Sequence, residues 1–231
     1  MEHKIPLKSE SKPVAHKIRH LNPMLLPIIE KEIRKMWEAN IILPLRFSNW
    51  VANIVPIRKK NRKIIICIDF RNLNRYSLKD NYPLPKMDHI LQKFVGSKRL
   101  PMIDGFSRYN QILVDKQDRE KTTFTTPWRT FMYNKVLFGL MNAGAKFQRA
   151  MDIAFTGEND KFVVIYLDDI TFSKFDQDHL KHLQQVFDKC RKFGLSLNPK
   201  KSCFVVQEGK MLGHIVTENG ICIDPGRVEA I

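Results

Sequence analysis

The sequence predicts an α+β layered fold. Short β-branched runs and amphipathic stretches mix along the chain without strict strand–helix–strand alternation. The 231 residues, 43% of them hydrophobic, supply a proper core for one large domain or two lobes sharing a core. An apolar run also ends in two adjacent acids, Asp168-Asp169, at the bend of a hairpin. With 27% charged residues the chain is not a disordered one.

Residues 1–22 are polar and basic. Pro23 and Pro27 then open a segment in which Ile28, Ile29, Ile33, Met36 and Trp37 recur at steps of three and four, which predicts a helix ending near Asn40. Val51–Ile57 and Ile64–Ile68 are β-branched runs flanking the basic stretch Arg58–Lys63, a hairpin with a cationic tip. Pro83 and Pro85 mark a connection, after which Met87–Phe94 reads as a short helix and Arg99–Ile103 as a strand ending at Asp104. A second strand pair is expected at Thr122–Thr126 and Phe131–Val136, turning at Pro127 and Trp128.

Asn142–Phe155 carries Ala143, Phe147, Ala150, Met151 and Ala154 at helical spacing. Gly144 weakens that helix by about 1 kcal/mol relative to Ala without overturning it. Phe162–Leu167 and Ile170–Ser173 form the hairpin with Asp168 and Asp169 at its bend. Leu180, Leu183, Phe187, Cys190 and Phe193 step by three and four, a helix closed by Gly194. Leu195–Ile223 returns to short strands with turns at Asn198-Pro199 and Asn219-Gly220.

The formal charge is +15, from 39 Lys+Arg against 24 Asp+Glu. Such a surplus does not stabilise a fold; it points to a polyanionic partner. Residues 1–75 hold 16 Lys+Arg and 6 Asp+Glu, a net of +10. No apolar run approaches the ~18–20 residues that span a bilayer, so no membrane partner is expected, and Met1–His20 lacks the apolar region of a secretory signal. The four cysteines have neither C-x-x-C nor zinc spacing, which suits a reducing compartment and an intracellular product.

Asp168-Asp169 in isolation reads as a solvated turn. Asp104, which also ends a strand-like run, changes the reading, because two strand ends can bring three carboxylates together. Oxygen-only ligation of that kind suits Mg²⁺, and paired ions ~3.5–4 Å apart serve phosphoryl transfer. His179 and His182, at i, i+3 with no third ligand nearby, read as surface residues, and His214 as packing.

Tyr166-Leu167-Asp168-Asp169 resembles the Y-x-D-D box of reverse transcriptases, and other blocks accompany it in order. They are Tyr82-Pro83-Leu84-Pro85, Asp104 through Tyr109-Asn110-Gln111-Ile112, Lys121-Thr122-Thr123-Phe124, Phe138-Gly139-Leu140, Phe147-Gln148-Arg149, Asn198-Pro199-Lys200-Lys201 and Leu212-Gly213-His214. Over roughly residues 47–231 the chain is similar to the reverse transcriptase domain, fingers and palm, of gypsy-type LTR retrotransposon Pol polyproteins.

The resemblance implies a right-hand polymerase fold: a palm with an antiparallel sheet backed by helices, a fingers subdomain, and no thumb before Ile231. It sets residues 1–19 apart as a basic extension, with fingers at about 20–88 and 116–146 and palm at about 89–115 and 147–231. Asp104, Asp168 and Asp169 would be the catalytic, metal-binding triad, holding two Mg²⁺ ions with Mn²⁺ as a substitute. Lys63, Tyr109, Phe138, Gly139 and Gln148 would meet the nucleotide, Tyr109 as the aromatic gate against a 2′-hydroxyl. Arg58, Lys59, Lys60, Arg62 and Tyr166 would meet nucleic acid.

The implied activity is RNA-directed DNA synthesis from dNTPs on a primed RNA or DNA template, in a cytoplasmic particle or the nucleus. RNase H and integrase regions follow in an intact element. A viral RNA-dependent RNA polymerase palm shares paired aspartates, but Tyr109 and the Leu167-Asp168-Asp169 context speak against it.

Several positions depart from the family pattern. Ile65 stands where a triphosphate-binding Arg is usual, Arg62 where a turn Gly is, and Arg108 where a Gly precedes the gate. Leu137 and Gly144 replace Pro, and Lys146 replaces Thr. The alternative these raise is a degenerate, truncated copy that binds nucleic acid without turnover.

Overall fold

The computed structural model describes residues 2–58, 64–93, 100–105, 108–157, 162–167, 169–172, 179–206, 208–211, 213–217 and 220–225. Its strands begin with β1 (Glu2–His3), β2 (Ile42–Pro44), β3 (Ala52–Arg58), β4 (Ile64–Ile68), β5 (Leu100–Asp104), β6 (Leu113–Val114) and β7 (Phe124–Thr125). They continue with β8 (Thr130–Tyr133), β9 (Val163–Tyr166), β10 (Asp169–Phe172), β11 (Cys203–Val206), β12 (Glu208–Met211), β13 (His214–Thr217) and β14 (Gly220–Ile223). The α-helices are α1 (Leu26–Glu38), α2 (Arg71–Tyr76), α3 (Met87–Gln92), α4 (Ala143–Ala154) and α5 (His179–Phe193). Two compact units result: Met1–Asn81 with Tyr109–Lys146, and Tyr82–Arg108 with Phe147–Ile231.

The first unit is built on a five-stranded sheet in the order β2-β8-β7-β3-β4, antiparallel except for the parallel β3–β7 pair. Phe124 is its centre: it is fully buried, 6.0 Å from Phe131 and 5.3 Å from Tyr133 between ring centroids. Helix α1 turns its buried Ile29 and Ile33 inward, and ends where its sequence says it should. Asn40 takes φ +54°, and the Ile41 N–H reaches back to the Met36 carbonyl at 2.9 Å, closing the helix with a left-handed residue.

The second unit carries a wholly antiparallel four-stranded sheet, β11-β5-β10-β9, and a three-stranded meander, β12-β13-β14. Ile90 and Leu91 of α3 meet Val164 and Val216 in one buried cluster, with Met102, Tyr166, Val206 and Ile221 packed around it. Val163, Val164 and Ile165 are all buried, which explains why β9 reads as a continuous apolar run rather than an alternating one. Helix α5 ends on Gly194 at φ +65°, with Gly194 N–H bonded to Arg191 and Leu195 N–H to Cys190. This is the double hydrogen bond of a Schellman end.

Two readings change. Residues 119–122 form a 3-10 turn where the strand Thr122–Thr126 was expected, leaving only Phe124–Thr125 extended. The hydroxyls of Thr122 and Thr123 donate to the Arg119 and Glu120 carbonyls at 2.6 and 2.5 Å, so these β-branched residues fold back on their own backbone. Residues 1–19, set apart as an extension, pack within the first unit. β1 pairs with β6, Leu7 bridges Ser77, and Ala15 bridges Val51. The Ile5 N–H donates to the Asp118 carboxylate at 2.6 Å, and Lys121 bonds both Asp118 and the Ile5 carbonyl.

His3 is 2% exposed in this packing. Burial, and then the charge of Lys146, push its pKa down from 6.5 to about 4 against the opposing pull of Asp118 and Asp80. The unfolded chain therefore takes up a proton between pH 6.5 and 4 that the folded chain refuses. The stabilisation from neutral His3, about 3 kcal/mol by linkage, is full above pH 6.5 and fades as the pH falls through that window. Urea unfolding of wild type and His3→Gln at pH 7, 5.5 and 4 checks this: the two should converge as the pH drops, and a constant difference would contradict it.

Candidate active site

The acids sit on the four-stranded sheet. Tyr166 and Asp169 are register partners at the end of the β9–β10 hairpin, so only Leu167 and Asp168 connect the strands. Two-residue loops require left-handed backbone, and Leu167 adopts φ +53°. For leucine this conformation costs on the order of 1 kcal/mol, so something must hold it.

Gln148 of α4 does so. Its Oε1 accepts the Leu167 N–H at 2.7 Å, while its Nε2 donates to the Ile165 carbonyl at 3.2 Å and to Asp152 at 3.1 Å. The second Asp152 oxygen accepts the Tyr82 hydroxyl at 2.5 Å, and the Arg149 guanidinium lies 4.6 Å over the Tyr82 ring. The Tyr82 and Gln148 blocks of the sequence are thus parts of one brace for the acidic loop. Gln148, expected to meet the nucleotide, is fully buried with its amide committed inside this unit; its described contacts make it a positioning residue. Asp152 and Tyr82 were missed as site residues, although Asp152 at i+4 from Gln148 on one helix face is the signal that could have found it.

β5 delivers the other acid. Asp104 is the direct register partner of Asp169 across the β5–β10 pair. Opposed residues of an antiparallel pair share a face with Cα atoms about 4.5–5.5 Å apart, and like charges in that position are destabilising. The Asn198 block supplies partial relief. Lys201 Nζ stands 3.5 Å and Asn198 Nδ2 3.4 Å from the Asp104 carboxylate, while the Asn198 N–H binds the Asp104 carbonyl at 2.8 Å. Asp168 lies outside the described residues, and among the described residues no group of three metal-ligating side chains forms. Asp104 and Asp169, opposed across the register, are the described carboxylates that could hold a divalent cation.

Tyr166 is partly buried against the Ile90 cluster. In the first unit, Tyr109 is 8% exposed and stacks on Phe138, centroids 6.3 Å apart and planes 28° apart, while Phe138 itself is 72% exposed. Gly139 takes φ +111°, which only glycine adopts without strain. Asn74 clamps this turn, donating to the Gly139 carbonyl at 2.7 Å and accepting from the Met141 N–H at 2.9 Å.

Arg58 ends β3 at the hairpin tip, opposite Ile64. Lys59, Lys60, Arg62 and Lys63 lie outside the described residues. His179 departs from its expected surface position: it is 7% exposed, with Nε2 2.9 Å from the Phe204 carbonyl. His182 stacks on Phe162 at 4.2 Å.

If Gln148 holds the loop, Gln148→Leu leaves the Leu167 N–H without its acceptor, at a cost of about 1–3 kcal/mol. Hydrogen exchange at the Leu167 amide should then speed by at least about tenfold. An unchanged rate would show that the bond does not secure the loop.

Comparison with known proteins agrees with this geometry. Residues 56–216 match the family model described as reverse transcriptase (RNA-dependent DNA polymerase). The retrovirus-related Pol polyproteins from transposons 412 and 297 of Drosophila melanogaster are 32% and 34% identical over 88% and 99% of this chain, which spans 17% and 21% of their lengths. The enzymatic polyprotein of cauliflower mosaic virus (strain CM-1841) is 30% identical over 94% of this chain and 32% of its own. Among solved structures, the foamy viral protease-reverse transcriptase in complex with RNA/DNA hybrid superimposes with a TM-score of 0.88 at 22% identity, over 99% of this chain and 31% of that one. That likeness establishes a fold of the fingers-and-palm type. A family model that matches most of this chain, and relatives above 30% identity, place it in the reverse transcriptase (RNA-dependent DNA polymerase) family.

Proposed function

We propose that the chain is the fingers and palm of an RNA-directed DNA polymerase that adds deoxynucleotides to a primer 3′-hydroxyl on an RNA or DNA template. The observation that carries the reading is the register of Asp104 against Asp169. Two carboxylates on one face of a sheet are a liability that a divalent cation removes. Asp168, adjacent in sequence, would be the third ligand. Family membership and a fold shared with a polymerase solved on RNA/DNA hybrid support the same reading.

Mg²⁺ bound here would lower the pKa of the primer hydroxyl and offset the charge that develops on the leaving pyrophosphate. The protein's share is positional. Asp104 and Asp169 hold a fixed spacing because the strand register sets it, and Gln148 keeps the loop between β9 and β10 in its left-handed turn. Tyr109, buried behind exposed Phe138, would form the wall that rejects a 2′-hydroxyl, and Gly139 lets that turn be made. The basic hairpin tip around Arg58 would meet phosphates. The first unit would serve as fingers and the second as palm.

The test is Mg²⁺-dependent extension of a DNA primer on an RNA template. Asp169→Asn and Asp104→Asn should each lower extension by at least about 10³-fold with binding of primer–template retained. Extension that survives both substitutions, or no extension by the wild-type chain, would overturn the reading. Ile65, part exposed and paired with Ile57, cannot donate to phosphate. Ile65→Arg should therefore lower the KM for dNTP by about tenfold, ~1.4 kcal/mol, with kcat little changed.

A further inference from the structure

Gln148 is fully buried, so its Oε1 and both Nε2 protons must find partners inside the protein. The Leu167 N–H fills Oε1, the Ile165 carbonyl takes one Nε2 proton and Asp152 Oδ1 takes the other. We propose that Tyr82 and Asp152 are positioning residues of the polymerase reaction: acting through Gln148, they hold the turn between β9 and β10 in the shape that sets Asp168 and Asp169 for that reaction. The reaction named here rests on the polymerase reading above; the brace itself rests on the hydrogen bonds.

The two ends of an amide have nearly one shape and opposite hydrogen-bonding character. Rotated by half a turn, the Gln148 amide would set its oxygen against the Asp152 carboxylate and the Ile165 carbonyl, and its N–H groups against the Leu167 N–H. Asp152 completes the observed orientation. Without it one Nε2 proton is a buried orphan, and the nearest remedy is an amide that turns to find an acceptor and takes Oε1 away from Leu167. The turn would then lose the acceptor that keeps Leu167 at φ +53°.

Asp152 is in turn oriented from outside its helix. Gln148 and Asp152 stand one turn apart on α4, a pairing the helix makes by itself, whereas Tyr82 comes from 70 residues away in the chain. Pro83 restricts the Tyr82 backbone to extended conformations, and the Arg149 guanidinium, 4.6 Å over the Tyr82 ring, pins that ring beside α4. The Tyr82 hydroxyl donates to Asp152 Oδ2 at 2.5 Å, which leaves Oδ1 facing Gln148 at 3.1 Å. A charge-assisted bond this short fixes the carboxylate plane. The carboxylate also polarises the amide it accepts from, which makes Oε1 a stronger acceptor for Leu167. Gln148 has no exposed surface, so the pair governs the placing of the acids rather than the binding of nucleotide or template.

Amide hydrogen exchange of the full chain in metal-free buffer, read at Leu167 and at buried Val186 of α5, tests this. Tyr82→Phe and Asp152→Ala should each speed Leu167 exchange by about tenfold or more and leave Val186 within about twofold. In Asp152→Asn the side-chain oxygen can accept from Gln148 and the NH₂ can donate to the Tyr82 oxygen, so Leu167 exchange should stay within about threefold of wild type, which separates bonding geometry from loss of charge. In primer extension with Mg²⁺, Tyr82→Phe and Asp152→Ala should lower kcat by about tenfold or more with the KM for dNTP within about twofold. Leu167 exchange unchanged in both variants, Leu167 and Val186 speeding together, or a raised KM at constant kcat would overturn the proposal. A wild-type chain that does not extend primer would sink the polymerase reading alone, and exchange at Leu167 would still decide whether Tyr82 and Asp152 hold the turn.

Discussion

Two carboxylates facing each other across neighbouring strands repel, and the second unit is organised around that repulsion. The β5–β10 register puts Asp104 beside Asp169, a placement that packing alone gives no reason to favour. Several described neighbours either fix it or moderate it. Gln148 secures the loop, Asp152 and Tyr82 secure Gln148, and Lys201 with Asn198 approaches Asp104 from the far side. A buried amide holding a left-handed leucine is a local strain kept in place by tertiary contacts, as sites that must present charged groups at fixed spacing commonly require.

The parts of this arrangement legible in the sequence are those set by neighbours along the chain. Asn40 and Gly194 end helices because left-handed closure is a local property, and the apolar run before Asp168 becomes a strand whose Val163, Val164 and Ile165 are all buried. The acids proposed to hold metal were recognisable because strand ends and paired aspartates are sequence patterns.

Long-range matters were hidden. β1 is two residues long and exists through pairing with Leu113 and Val114, far away in the chain. α2, six residues, was missed, and its first turn takes support from the Asp69 side chain. Thr122 and Thr123 have strand-like chemistry, but their hydroxyls found nearer acceptors. For Gln148 the resemblance implied a nucleotide contact, and what the fold adds is its hydrogen bond to the Leu167 N–H, which no local pattern announces. The charge was legible as a total, and the fold assigns it: +13 of the +15 lies in the first unit, and the unit that carries Asp104 and Asp169 holds the rest.

The claim at the centre is that the Asp104–Asp169 register is a cation site whose repulsion is felt when no cation is bound. Thermal unfolding of wild type and Asp104→Asn, each with and without Mn²⁺, measures both halves at once. The account predicts that Asp104→Asn melts higher than wild type in metal-free buffer, and that Mn²⁺ raises the Tm of wild type but not of the variant. A variant that melts lower without metal and responds to Mn²⁺ as wild type does would contradict it.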